Sequence, residues 1–337
     1  MIQFDYLFRK ILFALITLAI VIVFNFFLFR ILPGDPVKLL FRNPRLTKQA
    51  QETIRVQFGL DKPVWMNTER LPAGDVGGLF DSQFGAYIRN LLQGNLGISF
   101  AQRASVNQIL SERIWRTVLL LFTGELVAIV GGMFIGIIAA WRRGTWIDSI
   151  ALILGLTTWA LPTFFLGIIL LVLAHGTLPT SGMVEPGLNQ EGSLNYWIDV
   201  GRHLILPTLT LAVGSASAYM LIMRSSVLEV LAEDYVLTAK AKGISNVQIL
   251  RDHALKNAML PMVTIIALNL GYVVGGAIQV ETVFSWPGIG RLIFDSVAKQ
   301  DYPVLQGAFL LLAVSVILAN LITDLLYSMP DPRIKES

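Results

Sequence analysis

The sequence predicts an all-α integral membrane protein. It has six transmembrane helices, a small extracytoplasmic helical subdomain and a cytoplasmic helical hairpin. Three observations carry this. Hydrophobic residues make up 54% of the 337 positions and charged residues 15%, against roughly 25% charged in a soluble domain. Six apolar runs are each long enough to cross a bilayer, which takes about 20 residues. Between the fourth and fifth runs, a charged stretch keeps helical signals nearly throughout.

The first run is Ile11–Ile31. It is too long for a signal-peptide core and lacks an Ala-x-Ala exit, so it reads as a retained helix. The others cover Thr117–Ala140, Ile147–Ala174, His203–Met223, Leu260–Val283 and Val304–Tyr327. Pro162 and Pro207 fall inside spans, where neighbouring helices satisfy the freed carbonyls. Gly132/Gly136 and Gly271/Gly275 have the spacing that lets helices approach closely, and packing is the expected role of all four. Arg9 and Lys10 before the first run place the N-terminus in the cytoplasm, and six crossings return Arg333 and Lys335 to the same side. Arg142 and Arg143 then also fall inside. The chain divides into a cytoplasmic start and first span (1–32), an extracytoplasmic segment (33–116), a membrane domain (117–328) with a polar loop at 229–258, and a cytoplasmic tail (329–337).

The segment 33–116 carries many Lys and Arg outside, but long loops escape the positive-inside rule. It has its own helical signals. Thr47–Val64 sets Ile54 and Phe58 at helical spacing, followed by Gly59 and Pro63 as stop signals. Ala86–Phe100 repeats the pattern, with Gly94 ending an amphipathic piece. Asn67–Ser82, rich in Gly and Asp, is expected as loop.

The polar stretch Leu231–Pro261 reads as two helices. Ala232–Lys242 ends at Gly243, which suits the left-handed position after a helix. Ser245 and Gln248 have capping-box spacing, and Ile244 and Ile249 occupy the two positions of a hydrophobic staple. Val247, Leu250 and Ala254 fit one stripe of the second helix. Ala239 and Ala241 keep the first helix slim near the turn. Two readings compete: a hairpin lying on the lipid surface, or a knob built to dock on a partner. A fully specified turn crowded with small residues fits the second better.

Several chemistries are excluded or weak. The chain has no cysteine, so thiolate catalysis and Cys-ligated zinc are absent. His175, His203 and His253 are far apart, and nothing points to nucleic acid. No phosphate-binding G-x-x-x-x-G-K-[ST] loop occurs; Trp286–Arg291 (WPGIGR) has glycines without the Lys-Ser/Thr pair. A hydrolase using His203 with Ser215 or Ser217 lacks the nucleophile elbow, and His203 is expected to cap the fourth span instead. An ion-coupled secondary transporter is the rival function. It would use ionisable residues within spans, and Glu125 and Asp324 are the candidates. The competing expectation pairs Glu125 inside the bundle and sets Asp324 at the inner interface. Asn25 and Asn269 are expected as interhelical hydrogen-bond partners.

The charged stretch closely resembles the cytoplasmic coupling loop of ABC-transporter permeases of the dipeptide/oligopeptide type. Leu237-Thr238-Ala239 stands where many permeases have Glu-Ala-Ala, and Gly243 keeps the loop's glycine. His253–Asn257 (HALKN) stands where many have Ile-Leu-Pro-Asn, so Lys256 replaces the proline. Arg30–Pro36 (RILPGDP), Leu161–Leu171, His203–Leu231, Val280–Leu312 and Asp331–Ile334 (DPRI) resemble the same family in the expected order. The pattern is similar to the subtype with a long extracytoplasmic segment after its first span. The resemblance implies an importer permease in the cell's inner membrane, with no catalysis and no cofactor of its own. Two ATPase subunits would bind ATP. The other implied partners are a second permease, identical or not, an extracytoplasmic substrate-binding protein and membrane lipid. Glu233, Asp234, Thr238, Ala239, Ala241, Gly243, Ser245 and Leu255 would face or shape the ATPase contact. The expected cargo is a peptide, although the family also carries nickel, glutathione and oligosaccharides.

Overall fold

A computed structural model describes residues 4–31, 61–68, 77–188 and 192–328. Among these residues the regular secondary structure is helical, apart from one isolated antiparallel bridge between Ile98 and Ser105. In chain order the helices are α1 (Phe4–Ile31), α2 (Gln83–Leu92), α3 (Val106–Trp141), α4 (Trp146–Ala160), α5 (Thr163–Leu173), α6 (Leu194–Leu231), α7 (Asp234–Ala241), α8 (Leu255–Val283), α9 (Ile289–Lys299) and α10 (Tyr302–Ser328). A capped turn, Asn246–Gln248, and a π-helical stretch, Ile249–Ala254, lead into α8.

Four helical segments are long and apolar enough to cross a membrane: Phe8–Arg30, Val106–Trp141, Leu194–Leu231 and Tyr302–Thr323. α8, over the expected fifth run, is 29 residues long. The expected single span Ile147–Ala174 is instead two helices, α4 and α5, bent by 111°. Proline explains the break. It disfavours helical geometry in the residue before it, and Leu161 is extended at ψ 135°. Pro162 then opens α5, where its missing N–H costs nothing. Pro207, by contrast, is carried inside α6. The second span also starts earlier than expected, at Val106 rather than Thr117.

The chain folds as two compact units, one comprising residues 3–114 with 292–317 and the other centred on 115–291. In the first, Ser82 caps α2 by accepting from the Gly85 N–H at 3.0 Å. Gly94, at φ +71°, follows that helix. The amphipathic piece expected in Ala86–Phe100 thus ends just before Gly94, as its glycine predicts, and begins earlier than expected, at Gln83. Phe26 on α1 is buried among Trp65, Phe84 and Tyr87, with ring centroids 5.1–6.2 Å away. Asp301, just before α10, accepts from Ser99 Oγ and the N–H groups of Phe100 and Ala101 at 2.5–3.1 Å. Residues 47–60 of the expected helix at 47–64 lie outside the described residues, as do Arg30–Pro36 beyond Ile31, residues 69–76 of the expected loop and the 331–334 motif.

In the second unit, α3 shows how a membrane helix sorts its faces. Val118, Phe122, Leu126, Val130 and Phe134 recur every fourth residue and are all exposed. They form an apolar stripe suited to lipid. The opposite stripe is Gly124, Ala128, Gly132 and Gly136, pressed on α6. A Cβ on Gly132 would lie 2.4 Å from the Ala216 carbonyl oxygen, and one on Gly136 2.6 Å from that of Met220. The expected packing role of this pair is the one the structure shows: without side chains, the two backbones approach to van der Waals contact. Gly271 and Gly275 lie among residues whose side-chain positions are not described.

Candidate functional site: the polar hairpin and the helices that carry it

The hairpin is built by local rules. Glu233 and Asp234 open α7 and Lys240 stands in its last turn, an order that complements the helix dipole. After Lys242, Gly243 takes φ +77°. The Ile244 N–H bonds to Ala239 O at 3.2 Å and the Gly243 N–H to Lys240 O at 2.9 Å, the paired reversal of a Schellman motif. Ser245 then starts the second arm. Its Oγ accepts from the Gln248 N–H at 3.3 Å, while Gln248 Oε1 accepts from the Ser245 N–H at 3.4 Å. Ile244 and Ile249 close over Val236 and Ala239 as a small core. At the base, Asn257 Nδ2 donates to the Tyr235 hydroxyl at 2.7 Å.

The second arm departs from the expected stripe. Ile249–Ala254 is π-helical, so a 3.6-residue period does not carry through it. Val247 is exposed, Ile249 and Ala254 are buried, and Leu250 packs onto the lower end of α6. The staple demands Ile249 inward, and the wider turn absorbs the mismatch before α8 begins. The outcome is a hairpin whose turn is capped on both sides and which has its own core. Its outward face carries Tyr235, Leu237, Thr238, Ala241, Gly243 and Val247. Ala239, expected near that face, points inward. Leu255 is half-buried and joins the core shared by α6 and α8. That core also holds Val227, Leu228, Leu231 and Ala258 and fastens the hairpin to the two long helices it connects.

Within the second unit, two of the candidate polar residues of the long helices meet at one hydroxyl. Glu125 is buried and accepts a hydrogen bond from the buried Tyr219 hydroxyl. Asn269 reaches the same hydroxyl. Asn25 belongs to the other unit and donates to Gln306 O at 2.9 Å, from α1 to α10. The side chain of Asp324 lies outside the described residues. His203 is not a cap: it sits within α6, buried, with Nδ1 3.0 Å from Asp199 O. Ser217, fourteen positions further along that helix, is roughly 21 Å away by helical rise and hydrogen-bonds to Thr158 Oγ1 instead. No His–Ser pair exists there.

Two clusters had no sequence signal. Asp148 on α4 and Arg224 on α6 form a bidentate ion pair at 2.7 and 2.9 Å. At the far end of α8, Glu281 is fully buried. It accepts from Thr117 Oγ1 at 2.7 Å and from the Arg291 N–H, at the start of α9, at 3.0 Å. Gly288 is so close that any Cβ would overlap the carboxylate. Trp286, also fully buried, donates to Arg116 O at 3.0 Å. The glycines of WPGIGR therefore make room for a buried glutamate that caps α9. The charge of Glu281 alone could not show this, because its partner Thr117 lies 164 positions away.

Comparison with known proteins adds the following. Residues 132–336 match the family model "Binding-protein-dependent transport system inner membrane component", and residues 1–121 match the model for the N-terminal region of such components. The glutathione transport system permease protein GsiC of Salmonella typhimurium is 38% identical over 334 residues, spanning 98% of this chain and 99% of that one. Its namesake in Escherichia coli K12 is 37% identical over the same spans. A provisionally named peptide permease protein of Brucella suis biovar 1 is 38% identical, spanning 98% of each chain. Among solved structures, an inward-facing form of the MetNI methionine ABC transporter aligns with TM-score 0.50 at 17% identity. It covers 66% of this chain and 95% of that chain, a likeness of fold.

Proposed function

The chain belongs to the family of binding-protein-dependent transport system inner membrane components, and we propose from that premise that it is one of two permease subunits of an ATP-driven importer of peptides. Glutathione is itself a tripeptide, so the relatives' names point to one chemical class. In this reading six spans cross the inner membrane with both termini in the cytoplasm. An extracytoplasmic binding protein delivers the peptide, and two ATPase subunits bind the ATP. The chain makes and breaks no covalent bond.

The observation that carries the reading is the hairpin's self-sufficiency. Its turn, caps and core are satisfied internally, so folding does not need its outward face. That face exposes Leu237 at 57% and Val247 at 66%, on either side in sequence of the exposed Lys240 and Lys242. A hairpin resting on lipid needs one continuous apolar side. Here the inward residues Val236, Ala239 and Ile249 consume that side, which favours a protein groove as the occupant. Glu233, Asp234, Thr238, Ala241, Gly243 and Ser245 then border or shape the ATPase contact, while Ala239 and Leu255 hold the hairpin from within. Glu125, paired with Tyr219, serves the bundle.

Reconstitution tests this. The purified chain alone should hydrolyse no ATP. With its ATPases, binding protein and a peptide, hydrolysis and uptake into proteoliposomes should appear together. Uptake by the isolated chain under a proton or sodium gradient would favour the ion-coupled carrier and overturn the proposal.

A further inference from the structure

We propose that the Asp148–Arg224 pair is the joint through which movement of the hairpin reaches the bent pair α4–α5. The proposal rests on the ATPase-docking reading of the hairpin. α6 runs unbroken to Leu231, and α7 begins after only Ala232 and Glu233. Leu231, Leu250 and Leu255 share one core, so the hairpin and the lower end of α6 move as one piece. Arg224 stands on that end, about two turns before the hairpin.

Its guanidinium grips Asp148 with Nε to Oδ1 at 2.7 Å and Nη2 to Oδ2 at 2.9 Å. Asp148 is 4% exposed. Its Oδ2 also accepts the Gly144 N–H at 3.0 Å, in the turn that joins α3 to α4. One carboxylate thus holds the start of α4, the turn before it and α6.

The other contacts of α4 with α6 are softer. Gly155 makes room for the flexible tip of Met220, and Thr158 Oγ1 meets Ser217 Oγ at 2.7 Å. The three contacts run antiparallel along α4 up to Leu161–Pro162, where the chain bends by 111°. Beyond the bend, α5 stays on α6 at Gly167–Thr210 and also reaches Val283 and Phe284 at the end of α8. A pull on lower α6 is therefore carried into the start of α4, while α5 is also held by the end of α8. Only the contact nearest the hairpin is ionic and bidentate. A planar fork fixes angle as well as distance, whereas methyl and hydroxyl contacts let helices slide.

The test uses the assembled transporter with its ATPases and binding protein in proteoliposomes. Arg224→Lys keeps the charge and removes the fork. Its ATPase recovery and basal hydrolysis should match wild type, while peptide imported per ATP hydrolysed falls about tenfold, since a point charge does not replace a bidentate contact. In the doubly substituted chain, D148C with R224C, the ratio should be lost and then restored by a short bifunctional thiol reagent. Wild-type coupling in Arg224→Lys would overturn the proposal. So would loss of assembly in that variant, or failure of the cross-link to restore the ratio, because the pair would then serve only the fold. Failure of the unmodified chain to recover ATPases at all would instead refute the docking reading.

Discussion

Replacing Gly243 by valine tests the hairpin turn with a perturbation whose size can be worked out. The residue sits at φ +77°, where a β-branched side chain is strained by about 1–2 kcal/mol. A Cβ there would meet nothing within 4 Å, so the chain itself adds no clash. The cost falls on the Ile244–Ala239 and Gly243–Lys240 bonds that reverse the chain. It should shift the equilibrium constant between intact and opened turn by about tenfold, at roughly 1.4 kcal/mol per decade. Residues 227–231 and 250–258 are held by the α6–α8 core, so the membrane bundle should keep its thermal stability in detergent. The assay is recovery of the ATPases on an affinity-tagged chain, together with substrate-stimulated ATP hydrolysis. Both should fall about tenfold with valine. Asparagine, which visits left-handed backbone more readily, should retain more of each. Valine at full recovery and full stimulation would show that the turn does not shape a docking surface.

Other perturbations separate the remaining claims. Ser245→Ala removes the cap of the second arm and should destabilise it by about 1 kcal/mol, read as faster amide exchange at Asn246–Ile249. Gly132→Leu would drive a side chain into the Ala216 backbone and should lower the unfolding temperature of the purified chain, as overpacking by about 1–3 kcal/mol does; an unchanged melt would refute the close α3–α6 approach. Glu281→Ala removes the acceptor that Thr117 Oγ1 and the Arg291 N–H use in a buried site. It should destabilise by about 1–3 kcal/mol per group, and Glu281→Gln by less, measured in the same melts. The chain has no native cysteine, so single cysteines report topology cleanly. One at Asp75 should react with an impermeant reagent in intact cells, and one at Asn246 only after the membrane is opened; the reverse pattern would invert the orientation.

What the sequence disclosed, and what it did not, follows from the range of the interactions. The Ser245–Gln248 box, the Ile244–Ile249 staple and the glycine stop at Gly243 are set by neighbours within six positions, and each formed as its spacing predicts. The packing of Gly132 and Gly136 was legible because only a close partner explains two glycines one turn apart. Tyr219 reaches Glu125 across 94 positions, Arg224 reaches Asp148 across 76, and Thr117 reaches Glu281 across 164. No local pattern marks such pairs. The π-helical stretch was hidden for another reason: two local demands, the staple at Ile249 and the register of α8, compete over six residues. Pro162 was visible, but whether a proline kinks a helix or ends it depends on what packs beyond it. Pro207 and Pro162 chose differently.

The central claim is that the hairpin's outward face meets an ATPase. A photoactivatable cross-linker attached at Ala241→Cys, in the assembled transporter, tests it most directly. Ala241 is exposed, stands next to the turn and has no role in the hairpin's own core. The predicted product is a covalent adduct between this chain and an ATPase subunit, lost when the same label is placed at Trp197 on the far end of α6. Adducts from Ala241→Cys to lipid alone, with ATPases present and active in the same complex, would contradict the account.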